Sequence, residues 1–193
     1  VITSNATPTN EALTIVSRNV DQSFAISSID FDTTDSTDRA TGRIRWNQQD
    51  KTIDIGLIDD VNLQVGQETH IYVKNETGST ISNGSVVYFM NSGETNPDHP
   101  AHPLINIFIA DGSVDPANVA GVTTMEIPNG EHGYVTAFGM VRDLNTSGYA
   151  DGTVLYASPN TAGQLTDIQP ISPNVTSVIG IVVSSASATG SIF

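Results

Sequence analysis

The sequence contains no cysteine. That absence excludes disulfides, thiolate catalysis and cysteine-based zinc sites, and leaves the redox compartment open. Basic residues are few: seven Lys and Arg stand against 21 Asp and Glu, for a net charge of −14. A phosphate backbone is held by Lys and Arg clusters that displace its counterions, so nucleic acid is not an expected partner. An anionic membrane surface is disfavoured on the same ground. No apolar run approaches the roughly 18–20 residues that cross a bilayer, and no signal-peptide pattern opens the chain, so no membrane insertion is expected. Leucine is scarce as well, with seven against 59 Val, Ile and Thr together. β-Branched side chains lose χ1 freedom in a helix but pack well on a pleated surface. No window carries a long apolar pattern at i, i+3, i+4 and i+7. At 193 residues a buried core is attainable, and the expected class is all-β.

Motifs for known chemistry are missing too. There is no Gly-x-Ser-x-Gly elbow, Walker loop, Gly-x-Gly-x-x-Gly or His-Glu-x-x-His, so no nucleophile, phosphate cradle or zincin site is indicated. Acid pairs such as Asp30/Asp32 and Asp59/Asp60 could imitate glycosidase carboxylates, but those act across a cleft that spacing alone does not define. Asp30, Asp32, Asp35 and Asp38 lack the ligand spacing of a calcium loop, and Gly42 falls too late for its bend. The expectation is a protein that is not an enzyme and carries no cofactor.

What the chain does contain is a repeat. Asn83-Gly84-Ser85-Val86-Val87-Tyr88 returns as Asp151-Gly152-Thr153-Val154-Leu155-Tyr156. Each copy sets a positive-φ turn before a β-prone run. Gly121-Val122-Thr123-Thr124 and Gly133-Tyr134-Val135 follow the first copy; Gly180-Ile181-Val182-Val183 and Gly190-Ser191-Ile192 follow the second. Gly84, Tyr88, Gly121, Gly152, Tyr156 and Gly180 are therefore structural markers of a duplicated turn–strand–loop–strand–hairpin unit. Its longer first copy accommodates a Pro- and His-containing insert around residues 93–103.

Alternation supplies the rest of the organisation. Residues 1–28 read as an N-terminal arm or attachment segment, with strand-like runs at Ala12–Val16 and Ser23–Ile29. Residues 29–73 form a hairpin domain. Within it, Gly42–Leu57 places Trp46 opposite Ile53, Ile44 opposite Ile55 and Arg45 opposite Asp54. Trp46 is expected as a core anchor. In residues 61–74 the face carrying His70, Tyr72 and Lys74 is opposite that of Ile71 and Val73, and His70 and His132 are expected at the surface or at a partner contact. Residues 74–193 form the duplicated barrel- or sandwich-like domain, divided into 74–142 and 143–193. Asp115-Pro116-Ala117-Asn118 suggests one helical turn capped by Asp115.

The one ligand-like group is Asp98-His99-Pro100-Ala101-His102-Pro103. Two imidazoles three residues apart beside a carboxylate could contribute to a zinc, nickel or iron site on a symmetry axis. The local sequence lacks a third ligand, so Asp98, His99 and His102 remain weak metal candidates. Five Asn-x-Ser/Thr triplets (Asn5, Asn75, Asn83, Asn145 and Asn174) are about what a Thr- and Ser-rich chain yields by composition.

An ordered series of segments adds a resemblance. It runs Gly42-Arg43-Ile44-Arg45-Trp46-Asn47, Asp50-Lys51-Thr52-Ile53-Asp54-Ile55-Gly56-Leu57, and Leu63-Gln64-Val65-Gly66-Gln67-Glu68. Val73-Lys74-Asn75, Thr77-Gly78 and Asn83–Tyr88 continue it, and Gly139-Met140-Val141-Arg142, Gly152–Tyr156 and Gly163-Gln164-Leu165-Thr166 extend it. Over about residues 29–193 the chain resembles structural proteins of tailed bacteriophage virions, of the tail-fibre, head-fibre or capsid-decoration kind. The resemblance implies a β-rich homotrimer without catalytic activity, located in the virion and assembled in the bacterial host cytoplasm. Its implied partners are further copies of itself and capsid or tail proteins. A module recognising a host surface glycan or receptor is the alternative, and a tailspike-like hydrolase the third reading. Residues 93–103 are particular to this chain.

Overall fold

Turn glycines and alternating side chains build the described part of the chain into β-sheet alone, apart from one 3-10 turn at Pro116–Asn118. The computed structural model describes residues 29–31, 33, 40–93 and 101–193, and Thr33–Phe193 form one compact unit. The runs expected at Ala12–Val16 and Ser23–Ile29 lie outside the described residues but for Ile29. The protein is all-β. The 3-10 turn has the anticipated cap, the Asp115 carboxylate accepting from the Ala117 N–H at 2.9 Å.

Strands β1 (Ile44–Asn47), β2 (Thr52–Gly56) and β3 (Asn62–Gln64) form an antiparallel meander. Its register is the one alternation dictates: Ile44 opposes Ile55, Arg45 opposes Asp54, and Trp46 opposes Ile53. The Asn47 side-chain oxygen accepts from the backbone N–H groups of Gln49 and Asp50, closing the loop as an Asx turn. The faces, however, are inverted. Asn47, Thr52, Asp54 and Gln64 are buried, while Ile44 is 56% and Val65 45% exposed. Trp46 is half-buried on that outer face, its indole N–H bonded to Gln48. It belongs to neither hydrophobic core, so the expected core anchor is instead an outward-facing side chain. Alternation sets which residues share a face; it does not set which face turns inward.

A closed barrel follows, with strand order β4-β6-β5-β7-β8. Its members are β4 (Thr69–Asn75), β5 (Val86–Gly93), β6 (Pro103–Ile107), β7 (Val119–Thr123) and β8 (His132–Phe138). Antiparallel β4–β8 and parallel β4–β6 pairing place β4 between β8 and β6 and close the ring. Val73, Ile81, Val87, Ile105, Ile127 and Val135, all fully buried, pack as its core.

The second sheet has the order β11-β10-β12-β13-β9. It consists of β9 (Val141–Leu144), β10 (Val154–Ala157), β11 (Leu165–Thr166), β12 (Val178–Ser184) and β13 (Gly190–Ile192). Substituting β9 to β13 for β4 to β8 reproduces the barrel's order, so the duplication is a duplication of topology. Its irregularities repeat as well. Val87 opposes Gly121 and Tyr88 opposes Val119 across a bulge; Leu155 opposes Gly180 and Tyr156 opposes Val178 across the same bulge. Gly133 opposes Val73, and Gly190 opposes Leu144. The repeat opens on β4 and β9, so the divisions expected at 73/74 and 142/143 each fall inside a strand. Gly139 and Met140 separate β8 from β9, so the first copy's last strand leads almost directly into the second copy's first.

One difference separates the copies. The first closes through β4–β6, whereas β9 and β11 stay at the two edges of an open half-barrel. Its inner face is completed by the first copy: Leu144, Leu155, Ala157, Val182 and Ile192 pack with Val86, Phe108 and Val122. Consecutive residues of β5 thus serve two cores, Val87 inside the barrel and Val86 outside it. Each fully buried aliphatic side chain contributes about 1.5–3 kcal/mol by leaving water.

Two glycines hold corresponding strands close. A β-carbon on Gly121 would lie 2.1 Å from the Thr136 carbonyl oxygen, and one on Gly180 2.4 Å from that of Phe193. By contrast Gly152, at φ +80°, has open space around it. Gly121→Ala or Gly180→Ala should cost roughly 2–5 kcal/mol through steric displacement, and Gly152→Ala about 1–2 kcal/mol through backbone strain alone. Urea midpoints that rank Gly152→Ala as the most damaging of the three would contradict this account.

The Tyr149 hydroxyl donates to the Leu165 carbonyl at 2.9 Å, tying the turn before β10 to β11. Burial, then the nearby Asp167 charge, raises its pKa above 10.0; burial also raises that of Tyr134. Both groups favour the folded state fully below the unfolded phenol pKa of about 10, and that contribution is lost as pH climbs through their higher folded values. Unfolding free energy should therefore fall above pH ~10, and Tyr149→Phe should flatten the decline.

Candidate functional site

Inverting the meander buries charge, and every buried polar group then needs a partner. The Arg45 guanidinium pairs with Asp54. Asn47 donates its amide to Asp54 and, at 3.0 Å, to Asp50. Gln64 donates to Asp50 and accepts from the Arg142 Nη2 at 2.9 Å. Arg142 Nη1 reaches Glu68 at 2.6 Å, and the other Glu68 oxygen accepts from the Gln64 backbone N–H. That second oxygen lies 3.6 Å from His70 Nε2. The His70 Nε2 faces the Asn62 carbonyl and its Nδ1 faces the Thr136 hydroxyl, a pair satisfied by one neutral tautomer. A continuous polar chain therefore joins the meander, the barrel wall and β9.

This network floors a cleft of about 500 Å³, rimmed by Asp59, Asp60, Glu126 and Asp143. Asp59, Asp60 and Asp143 adopt positive φ. The rim is acidic, yet no group of three metal-ligating side chains occurs among the described residues. Asp59 and Asp60 lie here; of the other acid pair, Asp32 lies outside the described residues.

A second cluster sits on the outside of the barrel. The Tyr72 ring stacks on His132 (5.3 Å between centroids, 14° between planes), packs against Tyr134 at 4.9 Å and meets the edge of His102 at 5.2 Å. His102 and His132 lie 4.9 Å apart, edge to face. Strand order explains the meeting: β4 runs between β8, which starts at His132, and β6, which starts just after His102. Of the weak metal candidates, His102 is placed beside His132, with no ligand triad among the described residues, and Asp98 and His99 lie outside them. The parallel β4–β6 crossing that assembles this cluster leaves no mark in local sequence.

Apolar surface forms a third feature. On the outer meander face Ile44, Ile55 and Leu63 make one cross-strand row, and Trp46 and Ile53 lead to Val65 in the next. Elsewhere Phe138 and Phe193 meet edge to face at 5.2 Å while remaining 59% and 45% exposed.

Asn75 and Asn145 also acquire roles. Each begins an Asn-x-Thr/Ser-Gly segment whose asparagine oxygen accepts from both the backbone N–H and the hydroxyl two residues on. These triplets are paired turn motifs at the ends of β4 and β9, a further trace of the duplication that the spacing Asn75-x-Thr77-Gly78 and Asn145-x-Ser147-Gly148 could have revealed.

The buried network yields an asymmetric expectation. The Glu68 side chain is 1% exposed and that of Arg142 41%. Removing Arg142 strands a buried carboxylate, whereas neutralising Glu68 leaves a guanidinium that reaches water. Arg142→Ala should cost roughly 2–4 kcal/mol, Glu68→Gln about 1–2, and the double variant less than their sum. Additive losses in denaturant melts would refute the coupling.

Comparison with family models, curated proteins and solved structures gave no match to this chain.

Proposed function

We propose that the protein is a non-enzymatic structural component of a tailed bacteriophage virion, a trimeric fibre or decoration protein attached to capsid or tail. The observation that carries this reading is the inverted meander. The chain spends its hydrogen-bonding capacity on burying Asp54, Gln64 and Glu68 and turns Ile44, Trp46, Ile53 and Val65 outward. That arrangement suits a component whose apolar face is completed by neighbours in an assembly. Burying such side chains against a neighbour contributes about 1.5–3 kcal/mol each. The ordered resemblance over residues 29–193 gives the assembly its class. The net charge of −14 favours solubility before assembly, and residues 1–28 are the proposed attachment segment.

A second reading rests on the aromatic cluster. Tyr72, Tyr134, His132 and His102 offer ring faces of the kind that stack on sugars, which suits a fibre module binding a host glycan.

Light scattering coupled to size exclusion, at low and high salt, tests the first reading. A trimer at both salt concentrations, with no signal on a glycan array, is the expected outcome. A monomer at both would overturn it. Array binding that disappears in Tyr72→Ala would put the glycan reading in its place.

A further inference from the structure

The groove between β7–β8 and β12–β13 has a volume of about 340 Å³, and none of its thirteen lining residues has a charged side chain. Its single hydroxyl, on Thr136, is directed to His70. Phe138, Val178 and Phe193 rim it, with exposures of 59%, 64% and 45%. The volume suits two aliphatic side chains.

The same chain holds two such side chains out in water. Ile168 and Ile171, 74% and 76% exposed, are the most exposed large hydrophobics among the described residues. Neither lines the groove. Their loop is fixed: Pro170 is buried, its carbonyl accepts from the Thr176 hydroxyl, the Asn174 N–H bonds Ile171, and the Val175 N–H bonds Ala110. A loop held this firmly presents its isoleucines in a set position, which lowers the ordering cost of docking.

Charge identifies the occupant. Residues 168–193 contain no Asp, Glu, Lys, Arg or His, in a chain whose net charge is −14. Two copies repel one another over acidic surface, whereas the groove has no charged side chain and the loop carries none from Ile168 onward, exposed Asp167 standing at its start. We propose that Ile168 and Ile171 of one copy seat in the groove rimmed by Phe138, Val178 and Phe193 of the next. The contact joins two different patches, so it is head-to-tail, the kind that forms a trimeric ring where its rotation is threefold. It rests on the multi-copy reading above and specifies the surface that reading leaves open.

The cysteine-free sequence provides the test. Ile171→Cys and Phe138→Cys, made in separate proteins and mixed under mild oxidation, should give a disulfide-linked pair, and a protein carrying both should give covalent trimers on non-reducing gels. Lys51→Cys in place of Ile171→Cys should give no such product. Ile168→Asp/Ile171→Asp, placed in an exposed loop and checked for folding by circular dichroism, should be monomeric by light scattering. A trimer that survives this double substitution and yields no cross-link overturns this contact while the virion reading stands. A native chain that is monomeric throughout overturns both. A disulfide confined within single chains would assign the groove to the protein's own loop and overturn the proposal.

Discussion

The guanidinium of Arg142 is the point on which the fold's odd arrangement depends. It lies on the first strand of the second copy, yet its hydrogen bonds go to Gln64 of the meander and Glu68 ahead of the barrel. Without a cation there, Glu68 would be a buried carboxylate lacking its main partner, and the polar face of the meander would gain little by turning inward. With it, Asp50, Asn47 and Asp54 connect in series, and the apolar face of the same sheet turns outward. A pair of charged hydrogen bonds thus decides where the hydrophobic surface lies, which is the reverse of the usual dependence.

What could be read from the sequence, and what could not, divides along this line. Strand existence and register were legible because alternation is local: Ile44 with Ile55 and Arg45 with Asp54 follow from spacing once the loop is identified. The orientation of the sheet was not, because it rests on Arg142, more than 70 positions from Gln64 and Glu68 along the chain. Trp46 shows the consequence, since a lone tryptophan in an alternating hairpin ordinarily packs inward. The duplication was legible from its glycines, which keep their roles because Gly121 and Gly180 admit a neighbouring carbonyl that any side chain would exclude. The extent of each copy was not, because β4 and β9 precede the glycine turns and share no sequence with each other beyond the Asn-x-Thr/Ser-Gly turn that follows. His102 was singled out beside His99, which lies outside the described residues; that the parallel pairing of β4 with β6 brings it to His132 and Tyr72 was not legible, because that pairing is not local.

The two copies have diverged in burden as well as in length. The first has kept a closed ring and its own core. The second has kept strand order, bulge and glycine, and has left β9 and β11 unpaired with each other, drawing on Val86, Phe108 and Val122 for its interior. Its outer side carries the exposed Val154, Ile181 and Phe193, and Ile181 and Phe193 exchange backbone hydrogen bonds as direct neighbours. The half that relies on the barrel for its interior is therefore also the half that offers apolar surface to a neighbour.

That dependence sets an order for biosynthesis. All five barrel strands are contained in residues 69–138, so the ring can close while the second copy is still within the ribosome. Domains fold as units from the N-terminal side during synthesis, and here the finished outer wall is the surface on which the later strands settle. The first copy acts as a mould for the second, and only when Ile192 reaches Val141 are the last strand and the apolar groove beside it complete.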